Sequence, residues 1–168
     1  QAAALATLVG YADSNTGAAP AESVYTTAGV TGLQGNATLL AAVNTALAST
    51  AITGAQVDTT AELQTLVDAY ALILGKANGA APDATPLVQI SASDYSAIGA
   101  SVAAGLSNGS AAQALLNDVV GNSTAAAVDR VSKIDALATV AQSIANLAAQ
   151  SSMPSPAPTL TPADFALL

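Results

Sequence analysis

Apolar residues recur at helical spacing along most of the chain. The longest such stretch has positions three and four residues apart, which form one stripe on a helix. These positions are Leu63, Leu66, Val67, Tyr70, Ile73 and Leu74. Asp58 or Thr59 is predicted to cap the start of this helix. A matching helix is predicted from about 129 to 149. Its expected core positions are Ile134, Leu137, Ala141, Ile144 and Ala148, and its expected outward positions are Arg130, Lys133 and Asp135.

Two shorter stripes predict a second kind of helix, each preceded by a glycine-containing turn. The first stripe consists of Leu39, Leu40, Val43, Ala46 and Leu47, and the second of Leu115, Leu116, Val119 and Val120. A third kind of helix is short and is marked by its start. Ser91 is followed by Asp94, and Thr161 by Asp164, so that a hydroxyl cap precedes an acid in the first turn. The corresponding start near Ala21 has no hydroxyl cap.

These elements repeat along the chain. The aromatic residues Tyr25, Tyr95 and Phe165 are evenly spaced. The phrase VDTTAELQTLV from Val57 matches VDRVSKIDALA from Val128, and LATLV near the start of the chain matches LQTLV inside the first phrase. Both LATLV and LQTLV are followed by GAAP. Similarity of alanine-rich helices by composition alone is the alternative, but the equal aromatic spacing and the shared GAAP favour a repeat.

The repeat predicts an all-α fold of tandem three-helix units of about 70 residues, joined by proline-containing spacers. Residues 1–20 would be the end of a preceding repeat, 21–90 and 91–160 two complete repeats, and 161–168 the start of a following one. The chain is therefore expected to be a window on a longer tandem array. End-to-end complementation between copies is a further hypothesis.

Composition narrows the classes of function. Hydrophobic residues make up 52% and charged residues 8%, and the apolar share is mostly alanine, so the chain should fold around small side chains. A net charge of -8 predicts no nucleic-acid partner, and the absence of a run of ~20 apolar residues predicts no membrane insertion. Few lysines and much Ala, Thr, Ser, Asn and Gly favour an extracellular, cell-surface location.

Chemistry-bearing residues are sparse. The chain has no histidine or cysteine, and its cations Lys76, Arg130 and Lys133 do not form a recognisable triad with acids, so no enzymatic activity, catalytic residue or cofactor is predicted. Either lysine could serve a nucleophilic Ser or Thr as a base, but a solvated surface cation is the simpler interpretation. The acids are scattered, Asp58 and Glu62 included, and no metal site is predicted. Three Asn-x-Ser/Thr triplets match the signal for N-glycosylation, but Asn and Thr are so common in this chain that chance explains them.

The phrases ASDYSAIG, LLAAVNTALAS, DTTAELQTLVDAYALIL and ALLNDVV resemble the Ala- and Thr-rich tandem helical repeats of very large bacterial surface proteins, of the adhesin-like or surface-layer kind. The resemblance spans most of the chain and rests on phrase order and period. It implies an exported structural or adhesive role and carries no functional residues. The polar NSTAAAVDRVSK stretch and the MPSPAP spacer depart from a clean repeat.

The expected function is therefore that of a non-enzymatic extracellular structural protein, which forms a filament, surface layer or adhesin stalk by packing of helical units. Its expected partners are other copies of itself or neighbouring repeats. The alternative is an adhesive binding module that recognises a glycan or a host protein through a helix face or an inter-repeat groove. An ice-binding or silk-like material would need regularly spaced threonines on one flat face, which the sequence lacks.

Overall fold

The computed structural model describes residues 1–79 and 89–149, together with 161 and 164. Within this part the chain forms eight α-helices, two 3₁₀ turns and no strand, with one isolated β-bridge between Asn78 and Thr124. The predicted all-α class is confirmed. The helices are α1 (Ala2–Ser14), α2 (Glu22–Ala28), α3 (Ala37–Leu47), α4 (Thr60–Lys76), α5 (Ala92–Ala97), α6 (Ser101–Ala104), α7 (Ala111–Asn122) and α8 (Val131–Ala149). The 3₁₀ turns are Gly54–Gln56 and Ala125–Ala127.

Hydroxyl caps start two of the helices as predicted. Thr59 is the cap of α4: its hydroxyl oxygen accepts from the Glu62 amide at 3.2 Å, and the Glu62 carboxylate accepts from the Thr59 amide at 3.0 Å. Ser91 and Asp94 form the same reciprocal pair at the start of α5, with distances of 3.3 and 2.8 Å. Each pair satisfies two amides that the first helical turn leaves without a partner, which fixes where the helix begins.

The predicted stripe of α4 is buried as far as Ile73, and Leu74 is half-exposed. In α8 the prediction holds for the first half only. Ile144 is half-exposed and Ala148 is exposed, so their assignment to the core is wrong. The outward assignment of Asp135 is also wrong, because this residue is half-buried and its carboxylate accepts hydrogen bonds from the first amides of α6 at 3.0 and 3.1 Å.

The helix α6 makes the second predicted unit differ from the first. Among the described residues, the predicted first unit contains three α-helices, α2 to α4, whereas the predicted second unit contains four, α5 to α8, so α6 is additional to the three that were expected. Gly32 and Gly35 have φ angles of 87° and 71° in the equivalent loop of the first unit, a left-handed conformation that ends helical hydrogen bonding. The sequence Ser101–Ala104 has no glycine, and the Asp135 carboxylate accepts hydrogen bonds from the first amides of α6, so a turn of helix forms.

Packing follows a repeated order along the chain. The helix α1 packs against α2 and α3, and α4 packs against α3 behind it and against α5 and α7 ahead of it. The helices α6 and α7 both pack against α8. One continuous cluster of buried apolar residues runs through all of these contacts, from Leu8 to Ala141. Many of its members are alanines, whose small side chains let neighbouring helices approach closely.

The two predicted spacers lie largely outside the described residues, at 80–88 and 150–160, and so do most of residues 161–168. The division of the chain at residues 20, 90 and 160 stays a prediction.

Candidate functional site

A buried tyrosine and an asparagine join the first two helices of the segment 21–90. The Tyr25 hydroxyl donates to Asn44 Oδ1 at 2.6 Å, and Asn44 Nδ2 donates to the carbonyl oxygen of Pro20 at 3.0 Å. Tyr25 has no exposed surface and Asn44 is 8% exposed. The contact therefore links α2, α3 and the chain entering α2 inside the core, where each polar atom needs a partner because water cannot reach it.

The same contact recurs in the segment 91–160. The Tyr95 hydroxyl donates to Asn117 Oδ1 at 2.8 Å, and Asn117 Nδ2 donates to the carbonyl oxygen of Ile90 at 2.9 Å. The interval between the two tyrosines equals that between the two carbonyl groups, whereas the asparagines lie slightly further apart because the loop that contains α6 is longer. We call these two contacts the Tyr–Asn clasps.

Each clasp tyrosine lies on a short helix that is followed, within two residues of its end, by a glycine in a left-handed conformation. Gly29 has φ 92° and Gly99 has φ 81°. The amide that follows each glycine donates to the tyrosine carbonyl oxygen, at 2.9 Å in both segments. This is a helix C-terminal motif that glycine adopts without steric cost. The aromatic anchor and the exit of the chain are thus set by the same residue types in both segments.

Burial keeps the clasp tyrosines protonated, so that their hydroxyl groups serve as hydrogen-bond donors in the core. Burial raises the pKa of Tyr25 and Tyr95 well above the ordinary value, with smaller contributions from Tyr11 and Asp94 respectively. Burial also raises the pKa of Tyr70, with a smaller contribution from the Asp129 charge. The Tyr70 hydroxyl is buried and has no hydrogen-bond partner in the described part of the chain. All three phenols therefore stay neutral near pH 7.

A groove runs beside each clasp. The first groove has a volume of about 480 Å³ and the second about 310 Å³. Leu40, Ala41 and Asn44 line the first groove. The equivalent residues of α7 line the second groove, and these are Gln113, Ala114 and Asn117. The grooves therefore occupy corresponding positions, the first between α3 and the chain that enters α2, and the second between α7 and the chain that enters α5.

The first groove combines residues that are distant in sequence. Tyr11 of α1 lines it on one side, and Arg130, just before α8, lines it as well. Arg130 is exposed and belongs to the predicted second unit. An apolar wall with one guanidinium at its edge can bind a flat or apolar group that carries an acceptor or a negative charge.

Lys133 makes a local charged contact at the start of α8. Lys133 Nζ lies 2.7 Å from Asp129 Oδ1 and donates to the Ala126 carbonyl oxygen at 2.6 Å, which ties the start of α8 to the preceding 3₁₀ turn. In the described ranges, no three acids come together in a way that would hold a metal ion. Within the same ranges, no helix has the length and apolar character needed to cross a membrane.

Sequence reasoning missed the two asparagines and the role of Asp135. A signal for the asparagines exists, because Val43-Asn44 and Leu116-Asn117 each place an amide inside an apolar stripe, followed three positions later by Leu47 or Val120. A polar residue at a core position needs a buried partner, and the aromatic residue that repeats is a suitable one. Comparison of the chain with protein-family models, curated proteins and solved structures gave no match.

Proposed function

We propose that the chain is a non-enzymatic structural repeat protein of the bacterial cell surface, which builds a filament, a surface layer or an adhesin stalk from helical units packed in series. Residues 21–90 and 91–160 are its two complete units in this proposal. Its partners are neighbouring repeats and other copies of itself, and it uses no cofactor.

The observation that carries the proposal is the recurrence of the Tyr–Asn clasp. Unrelated alanine-rich helices would share composition, but they would have no reason to share a buried hydroxyl–amide–carbonyl chain with nearly identical distances. The shared left-handed glycine after each clasp tyrosine supports the same conclusion. Duplication of one structural unit explains both features.

The packing order supports a role in assembly. The helix α4 contributes to the core of its own segment through α3 and to the next through α5 and α7. Stability in such an array comes from unit–unit contacts as well as from each unit, as in other repeat proteins. A net charge of -8 on a surface with few cations keeps such an array soluble.

Electron microscopy of the native material, combined with labelling of intact cells by an antibody raised against this chain, tests the proposal. The expected result is gold label on the outside of the cell, on fibres or a lattice whose axial spacing equals the distance between the two clasps or a multiple of it. Label confined to the cell interior, or single particles without a regular spacing, would contradict the proposal.

A second candidate function is an adhesive module that binds a glycan or a host protein. The observation that favours it is the first groove, where the single arginine of the chain lies beside apolar residues from the other unit. Binding of the intact chain to a glycan array or to host surface proteins tests this role. Arg130→Gln should reduce binding at least tenfold, while Lys76→Gln, which removes the same charge from a residue outside the groove lining, should not. Equal losses would point to nonspecific attraction.

A further inference from the structure

The long helices of this chain share one packing rule. The helix α1 packs against α2, the first helix of the segment that follows it, and α4 packs in the same way against α5. In both cases the long helix also contacts a later helix of the following segment, which is α3 for α1 and α7 for α4. The helix α8 is the third long helix, and it corresponds to α4 in the alignment that matches Val57 with Val128.

The second half of α8 has apolar residues exposed where α4 has them buried. Ile73 and Ala77 in and just after α4 are 0% and 4% exposed. Their counterparts Ile144 and Ala148 are half-exposed and exposed, and Leu147 beside them is half-exposed as well. The buried apolar positions of α4 and their counterparts in α8 differ in side-chain burial only in this second half. Ala69 and Tyr70 are buried, and so are their counterparts Val140 and Ala141.

A suitable occupant starts at Thr161. The Thr161 amide donates to Asp164 Oδ2 at 2.6 Å, and the Asp164 amide lies 3.4 Å from Thr161 Oγ1. This is the reciprocal cap that Ser91 and Asp94 form at the start of α5. In sequence, Asp164 is followed by an aromatic residue, as Asp94 is followed by the clasp residue Tyr95.

We propose that the second half of α8, residues 141–149, is the docking face for the segment that begins at Thr161, as α4 is for α5. This inference rests on the repeat assignment in the proposed function. The contact that α1 and α4 make with the following first helix continues on α8, and it covers Ile144 and Ala148. Burial of these side chains removes apolar surface from water and so favours the docked state.

Spin labelling tests the proposal cleanly because the chain contains no cysteine. Ser96→Cys lies on the exposed side of α5, and Ala166→Cys is its counterpart one repeat later. Each single-cysteine chain, isotope-labelled and carrying a nitroxide, is examined by NMR at low concentration for loss of amide peak intensity. The label at residue 96 should reduce the intensity of the NMR peaks from a set of α4 amides. The label at residue 166 should weaken the corresponding amides of α8, and Ile144→Asn should abolish that second effect alone.

Other outcomes overturn the inference. Loss of intensity elsewhere, or no loss on α8, would show that this segment docks at another place or not at all. If the α8 amide peaks lose intensity only in a mixture of two chains, one spin-labelled and the other isotope-labelled, the occupant belongs to a second copy. In either case the label at residue 96 still reports the α4–α5 contact, and the microscopy of the native material is unaffected. Failure of this inference is therefore distinguishable from failure of the proposed function.

Discussion

Replacement of Tyr25 by phenylalanine removes one hydroxyl group from the core and keeps the ring. The group lost is the donor 2.6 Å from Asn44 Oδ1, in a site where tyrosine is fully buried and the asparagine is 8% exposed. Asn44 keeps its bond to Pro20, but its oxygen loses a partner that water cannot easily replace. A buried acceptor left in this way costs about 1–3 kcal/mol. We expect Tyr25→Phe to lower the free energy of unfolding by that amount.

The chain provides two matched substitutions. Tyr95→Phe breaks the second clasp, but Asn117 is half-buried and water can replace the lost donor, so a smaller cost of about 1 kcal/mol is expected. Tyr70→Phe removes a buried hydroxyl that has no partner among the described residues, and it should leave stability unchanged or raise it by up to about 1 kcal/mol. Urea unfolding at pH 7, followed by circular dichroism, measures all three.

The order of the three values is the test. Equal losses for the three variants would contradict the reasoning, because the cost would then come from the packing of the hydroxyl oxygen and not from its hydrogen bonds. A double-mutant cycle with Asn44→Ala completes the test, because a coupling energy near zero would exclude a direct Tyr25–Asn44 interaction.

Three further predictions use other features. Burial holds the pKa of Tyr25, Tyr70 and Tyr95 above the unfolded value of about 10. Their contribution to stability is therefore complete below that pH and is lost as the pH rises beyond it. A free energy of unfolding that stays constant from pH 9 to about 11 would contradict this. Gly99→Ala forces a side chain into a φ of 81° and within 2.9 Å of the Ala51 Cβ, and it should lower the free energy of unfolding in urea by about 1–3 kcal/mol. The control is Gly75→Ala, in the last turn of α4 with open space around it, which should raise the free energy of unfolding by up to about 0.5–1 kcal/mol. Asp135→Ala removes the acceptor for the first amides of α6, so hydrogen exchange there should accelerate at least fivefold while exchange in α4 stays unchanged.

The helical framework is predictable because its determinants are local. The caps at Thr59 and Ser91 act within one helical turn, and the stripe of α4 follows from spacing alone. The recurrence of Tyr25 and Tyr95 also marks them as anchors of the repeat. Sequence pattern thus identifies the helices other than α6, together with the aromatic anchors, without knowledge of what they contact.

Long-range contacts are not predictable in the same way. The two clasps join residues at different separations along the chain, and this difference hides the match between Asn44 and Asn117. Asp135 is predicted to face solvent because its position on the helix is polar, but the amide that it binds, that of Val102, belongs to a helix far earlier in the chain. Helical periodicity says which face is buried, yet it does not say which element covers that face. Ile144 and Ala148 are predicted as core positions on this basis, although they are half-exposed and exposed in the structure.

The placement of α4 between two segments has a mechanical consequence. Because α4 packs against α3 in one segment and against α5 and α7 in the next, a force that pulls α4 away disrupts both segments. An excised single segment would lack one of its walls, and it should therefore unfold at a lower force than the pair.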